Sequence, residues 1–152
     1  MRVPGTIVGV ALVVLALVGC GPSYDPRAVE AADAVARGEL RRARALYEAG
    51  ADLEARFQGG LTVLMMASAD GKVDAVRLLL ELGADPNARR DDGATALLAA
   101  TRGGHAGTAR WLIGAGADVL ARDSEGRDAL AIARERGDRT LAALLVAAGA
   151  GN

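Results

Sequence analysis

His105 and Cys20 each stand alone of their kind in this chain of 152 residues. A Ser–His–acid or Cys–His relay needs an imidazole oriented beside its nucleophile. With one histidine, placed directly after Gly104 in a turn-forming pair, the expected role is structural. Zinc needs three or four Cys, His or carboxylate ligands gathered together, and only His105 and scattered carboxylates are on offer. Asp91-Asp92 and Asp123-Ser124-Glu125 have the carboxylate density that calcium favours, but beside turn glycines they read as solvated loop charges. Gly59-Gly60 and Gly103-Gly104 lack the strand and the glycine spacing of a phosphate cradle. A single thiol makes no intramolecular disulfide. No enzyme, cofactor or metal site is therefore expected.

Bulk properties narrow the class further. The formal net charge is −1, and no basic stripe marks a nucleic-acid binder. Hydrophobic residues make up 51 % of the chain but aromatics only 3 %, so a core must be built from Ala, Leu and Val. Helix formers dominate beyond residue 20, which points to an all-helical body.

The stretch TIVGVALVVLALVG (6–19) is uncharged and follows Arg2 and Pro4-Gly5. It falls short of the roughly 20 apolar residues of a spanning helix and suits the core of an export signal, about 7–15 residues long. Leu17-Val18-Gly19-Cys20 resembles a bacterial lipobox. That resemblance implies a lipoprotein signal peptide over 1–19, cleavage before Cys20, diacylation of its sulfur and acylation of its new amino group. Each buried methylene contributes about 0.8 kcal/mol and stable anchoring takes more than one chain, so Cys20 would hold the protein on a membrane. By resemblance to lipoprotein sorting, Gly21 in place of Asp implies the outer membrane, facing the periplasm. Residues 20–24 then form a lipidated cysteine and short tether. The alternative is an uncleaved, short transmembrane anchor with an incidental cysteine.

The body repeats with a step of 33 residues. Gly-Ala-Asp begins at Gly50, Gly83 and Gly116, and Gly149-Ala150-Gly151 continues the series. The same step joins Gly38, Gly71, Gly104 and Gly137, then Ala34, Ala67, Ala100 and Ala133, then Leu46, Leu79, Leu112 and Leu145. Internal periods of this length signal stacked repeats. Each copy reads as helix, turn, helix, loop, with boundaries near 25–56, 57–89, 90–122 and 123–152. Thr62, Thr95 and Asp128 are the expected caps of the first helices. Val29 cannot play that part, so the first copy should start earlier, with Asp25 as cap and Pro26 at the first helical position. Polar stretches such as ADPNARRDDG (84–93) suit hairpin-like loops. Trp111 shares the register of Leu78 and Leu144 and is expected in the core. Of Met65 and Met66, one should pack between copies and the other be partly exposed; the alternative is that the pair marks an adaptable binding surface. The fourth copy is expected to close at the end of the chain, leaving nothing appended for a second activity.

GLTVLMMASADGKVDAVRLLLELGADPNARRD (60–91) and GATALLAATRGGHAGTARWLIGAGADVLARD (93–123) resemble ankyrin repeats, over about residues 25–152. The usual motif runs Thr-Pro-Leu-His, Ala, Gly-His, a Leu pair and Gly-Ala-Asp. His105 falls at its Gly-His position. Thr62-Val63-Leu64-Met65 and Thr95-Ala96-Leu97-Leu98 lack the Pro and His, which implies loops less tightly held. The resemblance implies an all-α ankyrin-repeat solenoid of four stacked helix-turn-helix units, acting as a protein-binding module and monomeric. Lone copies cannot bury their apolar faces, and end copies need polar outer faces. Arg27, Glu30 and Asp33 serve the first end, and Arg134 and Arg139 help serve the last.

In such proteins the concave face, made of loop tips and first helices, usually holds the partner. Carried over by register, the second copy contributes Gln58, Leu61, Ala69 and Asp70. The third contributes Asp91, Asp92, Ala94 and Arg102, and the fourth Ser124, Arg127, Glu135 and Arg136. Mixed charge around Leu61 fits a protein partner rather than a polyanion. A tether of four residues between Cys20 and Asp25 reaches about 15–20 Å, which implies a membrane-proximal partner. Neutralising a periplasm-acting toxin, supporting the envelope or its oxidative-stress defence, and a purely structural role remain open as rivals.

Overall fold

The computed structural model describes residues 25–151. The expected signal peptide (1–19), Cys20 and the tether (20–24) lie outside the described residues. Within them the chain forms eight α-helices in four antiparallel pairs. The pairs are α1 (Pro26–Arg37) with α2 (Leu40–Glu48), α3 (Val63–Ala69) with α4 (Val73–Glu81), α5 (Ala96–Gly103) with α6 (Ala106–Gly114), and α7 (Ala129–Glu135) with α8 (Arg139–Ala147). The described residues contain no β-strand, only an isolated bridge between Phe57 and Leu61.

The caps explain where the first helices begin. Thr62 accepts from the Met65 N–H, Thr95 from the Leu98 N–H and Asp128 from the Ala131 N–H. Each satisfies a donor that the first helical turn leaves unpaired. In the first repeat, Asp25 accepts from the Arg27 N–H at 2.9 Å and Pro26 opens α1, which needs no donor there. Starting early gives α1 12 residues, against 7, 8 and 7 for α3, α5 and α7.

Inner helices stack on inner and outer on outer, α1–α3–α5–α7 beside α2–α4–α6–α8. Ala34, Ala67, Ala100 and Ala133 are buried where the inner helices meet their neighbours. Leu79, Leu112 and Leu145 are fully enclosed, whereas Leu46, in the end repeat, has a neighbour on one side and is half-buried. Trp111 departs from expectation: it is 45 % exposed, not core. Thr108, Ala109 and Leu112 form the buried stripe of α6, and residue 111 lies at its flank. At the equivalent place Leu78 is short enough to be covered; the indole projects, with the Arg77 guanidinium 6.0 Å from its ring centre. Met65 is buried and Met66 half-exposed, as the sequence suggests.

Side chains also tie each repeat to the next, through acceptor carbonyls that follow the 33-residue step. Lys72 Nζ donates to the Ala36 carbonyl at 2.7 Å, and Arg136 Nη1 to the Arg102 carbonyl at 2.7 Å. Between them, His105 Nε2 lies 3.0 Å from the Ala69 carbonyl, a contact that places the proton on Nε2. These three carbonyls end the first helices, where no intrahelical donor remains. The imidazole fits because Gly71 and Gly103 flank it; a Cβ on either would run into the ring. A second series links the Gly-Ala-Asp turns. Asp25 accepts from the Asp52 N–H, Glu54 from the Asp85 N–H and Asn87 from the Asp118 N–H.

Candidate functional site

The loops between repeats turn back on themselves in three tips, 57–61, 90–94 and 123–127. In each, the first residue's N–H donates to the last residue's carbonyl: Phe57 to Leu61, Arg90 to Ala94 and Asp123 to Arg127, at 2.8–3.1 Å. Backbone bonds join the tips sideways, from the Asp91 N–H to the Gly59 carbonyl (3.1 Å) and from the Ser124 N–H to the Asp92 carbonyl (2.8 Å). The tips and the inner helices thus form one continuous surface.

A groove of about 590 Å³ opens on this surface between α3 and α5. Leu61, Met65 and Met66 line it from the second repeat, Ala94 and Ala99 from the third. Ala69 and Asp70 stand at one side, Arg90 and Arg102 at the other. The cleft has a cause in side-chain size. The long Met66 shares its register with Ala99, whose methyl group leaves the third repeat's side empty. Five residues expected on the concave face line this groove: Leu61, Ala69, Asp70, Ala94 and Arg102.

The others lie elsewhere. Gln58, Asp91 and Ser124 are exposed at equivalent places on the three tips. Asp92 is half-buried and caps its own tip, accepting from the Ala94 N–H at 3.0 Å. On the fourth repeat, Arg127 pairs with Glu125 at 3.2 Å and lies 3.8 Å from Glu135. Arg136 turns away to hold the Arg102 carbonyl, and its guanidinium lies over Gly104. Sequence reasoning did not place Ala99 or Arg90 in this site, and it offered Met65-Met66 as a binding surface only as the alternative to packing. The 33-residue step held a signal for Met66 and Ala99, as adjacent large and small residues in one inner-helix row.

The expected solvation of the loop carboxylates fails at Asp123. Its side chain is only 2 % exposed. It accepts from Arg102 Nη2 at 2.6 Å, the Glu125 N–H at 2.9 Å, the Arg127 N–H at 3.0 Å and Arg127 Nε at 3.2 Å. Burial pushes its pKa up, but the Arg127 N–H, the Arg102 guanidinium and the Glu125 N–H pull it down, and the balance lies below 3.8. Asp123 begins the fourth repeat and Arg102 ends α5 of the third, so the ion pair is a stitch between repeats. At the other end of the stack, Asp25 is also held below its usual value, first by the Asp52 N–H and then by the Arg27 N–H. Burial pushes the Tyr47 phenol up, and Asp52 and Glu54 add to the shift.

Among the described residues, no three His, Cys, Asp or Glu side chains gather as a metal site, and no helix is long and apolar enough to cross a membrane. A family model for ankyrin repeats, three copies long, matches residues 31–123 and again 82–152. No curated protein matches the chain.

Proposed function

The chain belongs to the ankyrin-repeat family, and from that premise we propose that it binds a protein partner on its concave face while a lipid on Cys20 holds it at a bacterial membrane. The observation that carries the binding half is the groove between α3 and α5. It is a preformed apolar cleft with charged groups at its rim, on the face from which repeats of this family recruit partners. The anchoring half is supported by the sequence around Cys20, with Gly21 favouring an outer-membrane, periplasm-facing location. A tether of four residues then keeps the repeats within about 15–20 Å of the bilayer surface, so the partner is a membrane protein or one working beside a membrane.

Two experiments test the halves separately. Photo-crosslinking groups placed at Leu61 and Ala94 in cells should capture a defined protein, and groups at exposed outer-face positions such as Arg110 should not. Equal capture from both faces refutes the concave reading. Cys20→Ser should move the protein out of the membrane fraction or leave it unprocessed, with its helical content unchanged. Membrane retention at the wild-type mass refutes the lipid anchor.

A further inference from the structure

The groove is lopsided in charge, and the lopsidedness says what it holds. Its floor is apolar: Leu61, Met65 and Met66 from one repeat, Ala94 and Ala99 from the next. The acid at its rim, Asp70, is exposed and has a counter-charge beside it, with its carboxylate 3.3 Å from Lys72 Nζ. The two guanidiniums opposite are less fully used. Arg102 gives Nη2 to Asp123 but carries five N–H donors in all. Arg90 has its nearest carboxylate, Asp92, at 3.7 Å, well beyond the 2.7–2.9 Å of a charge-assisted hydrogen bond. Donors with spare capacity stand beside an apolar floor, and the one carboxylate in the groove's own lining faces a lysine.

Size and texture agree. About 590 Å³ lies within the range of roughly 300–1,000 Å³ typical of clefts that bury a compact ligand. Methionine has three rotatable bonds and a polarizable sulfur, so it adapts to unbranched or aliphatic side chains.

We infer that the groove takes a protein segment of acidic–apolar character: a large aliphatic side chain lies on the floor at Leu61 and Met66, and an adjacent Asp or Glu pairs with Arg90. This rests on the concave-face reading and narrows it to one chemistry. Basic segments are disfavoured because Arg90 and Arg102 would face like charge, and neutral ones leave Arg90 without its acceptor.

Fluorescence anisotropy on the full chain in detergent tests this with four labelled peptides. Each carries a central Leu-Leu pair or its Ala-Ala counterpart: Leu-Leu between glutamates, between lysines or between serines, and Ala-Ala between glutamates. The Glu/Leu peptide should bind at least about tenfold tighter than each of the other three. Arg90→Glu should remove that preference and turn it toward the lysine peptide, with circular dichroism confirming an intact fold. Ala99→Trp, which fills the cleft and keeps its charges, should weaken Glu/Leu binding by a similar factor.

Equal or tighter binding of the lysine or serine peptide overturns the inference, as does indifference to Arg90→Glu. Self-association in sedimentation that Ala99→Trp abolishes would assign the groove to a second copy and overturn it too. If no peptide binds while crosslinks from Leu61 and Ala94 still capture a protein, the acidic–apolar inference falls and the concave-face reading stands. If neither binds, both fall.

Discussion

Replacing Asp123 by Asn tests the claim that one buried carboxylate fastens the fourth repeat to the third. Asparagine keeps the shape and an acceptor oxygen for the Glu125 and Arg127 N–H groups, but it removes the charge that faces Arg102 and Arg127. Breaking a buried pair by deleting one charge costs about 3–5 kcal/mol when the other charge is stranded. Here the stranded partners are not sealed in: the Arg102 and Arg127 side chains are 35 % and 32 % exposed and regain water. The expected loss is therefore smaller, about 2 kcal/mol for Asn and about 3 kcal/mol for Ala, which also loses the acceptor. For a domain of this size about 2 kcal/mol lowers the melting temperature by roughly 6–10 °C.

The loss should also be local and pH-dependent. Stability in stacked repeats is a sum of nearest-neighbour terms, so amide exchange should speed up first in α7 and α8. The folded-state pKa of Asp123 is depressed, so its contribution is complete above the unfolded value, near 3.8, and fades as pH falls through the lower folded value. Urea titrations of wild type and Asp123→Asn should differ by a constant amount from about pH 7 to about pH 5 and converge below about pH 4. Adding Arg102→Met to the variant should cost less than adding it to wild type. A difference below about 0.5 kcal/mol at neutral pH, within ordinary surface-substitution scatter, would refute the stitch. A gap that stays constant down to low pH would do so as well.

Further outcomes follow from the other ties between repeats. Leu120 is 54 % exposed at the position where Glu54 and Asn87 accept from the next turn; Leu120→Asn should bond the Gly151 N–H and raise stability by about 0.5–1.5 kcal/mol. A neutral or destabilising result in urea titration would show that position to be unconnected to the turn. Gly71→Ala forces a residue with φ of 68° into the left-handed region and its Cβ into the His105 ring, and should cost about 1–3 kcal/mol. The cost should shrink in a His105→Ala background, and equal costs in the two backgrounds would deny the contact. Asp25→Ala should loosen α1 first, since it removes both a helix cap and the bond to the Asp52 N–H. Because the Asp25 pKa is depressed, exchange in α1 should match wild type once pH falls below that folded value; protection of α1 unchanged at neutral pH contradicts the assignment.

The parts of this fold visible in the sequence are those set within one repeat. Thr62, Thr95 and Asp128 cap because a side-chain oxygen next to a helix start needs nothing distant to act, and the 33-residue step then orders the stack. What escaped depends on two repeats meeting. Asp123 looks like a loop charge until Arg102, 21 residues earlier, closes over it. Trp111 shares a register with Leu78, but register fixes direction and not whether a neighbour is long enough to cover an indole. Five of the positions read as the concave face, Leu61, Ala69, Asp70, Ala94 and Arg102, do line one groove. The groove itself was not legible, because it comes from a volume difference, Met66 against Ala99, between residues in separate repeats.

The same ties bear on how the groove binds. Its walls, α3 and α5, are pinned at both ends. The Asp91 N–H holds the Gly59 carbonyl where the helices are entered, and His105 holds the Ala69 carbonyl where α3 ends. A cleft fixed at both ends is already shaped before a partner arrives, so little ordering remains to oppose binding. His105 does not line the groove, yet it sets the spacing of its walls. On the proposed reading the lone histidine serves the groove by position rather than by chemistry: its loss should weaken capture at Leu61 and Ala94 by freeing α3 from α5, although it does not line the cleft.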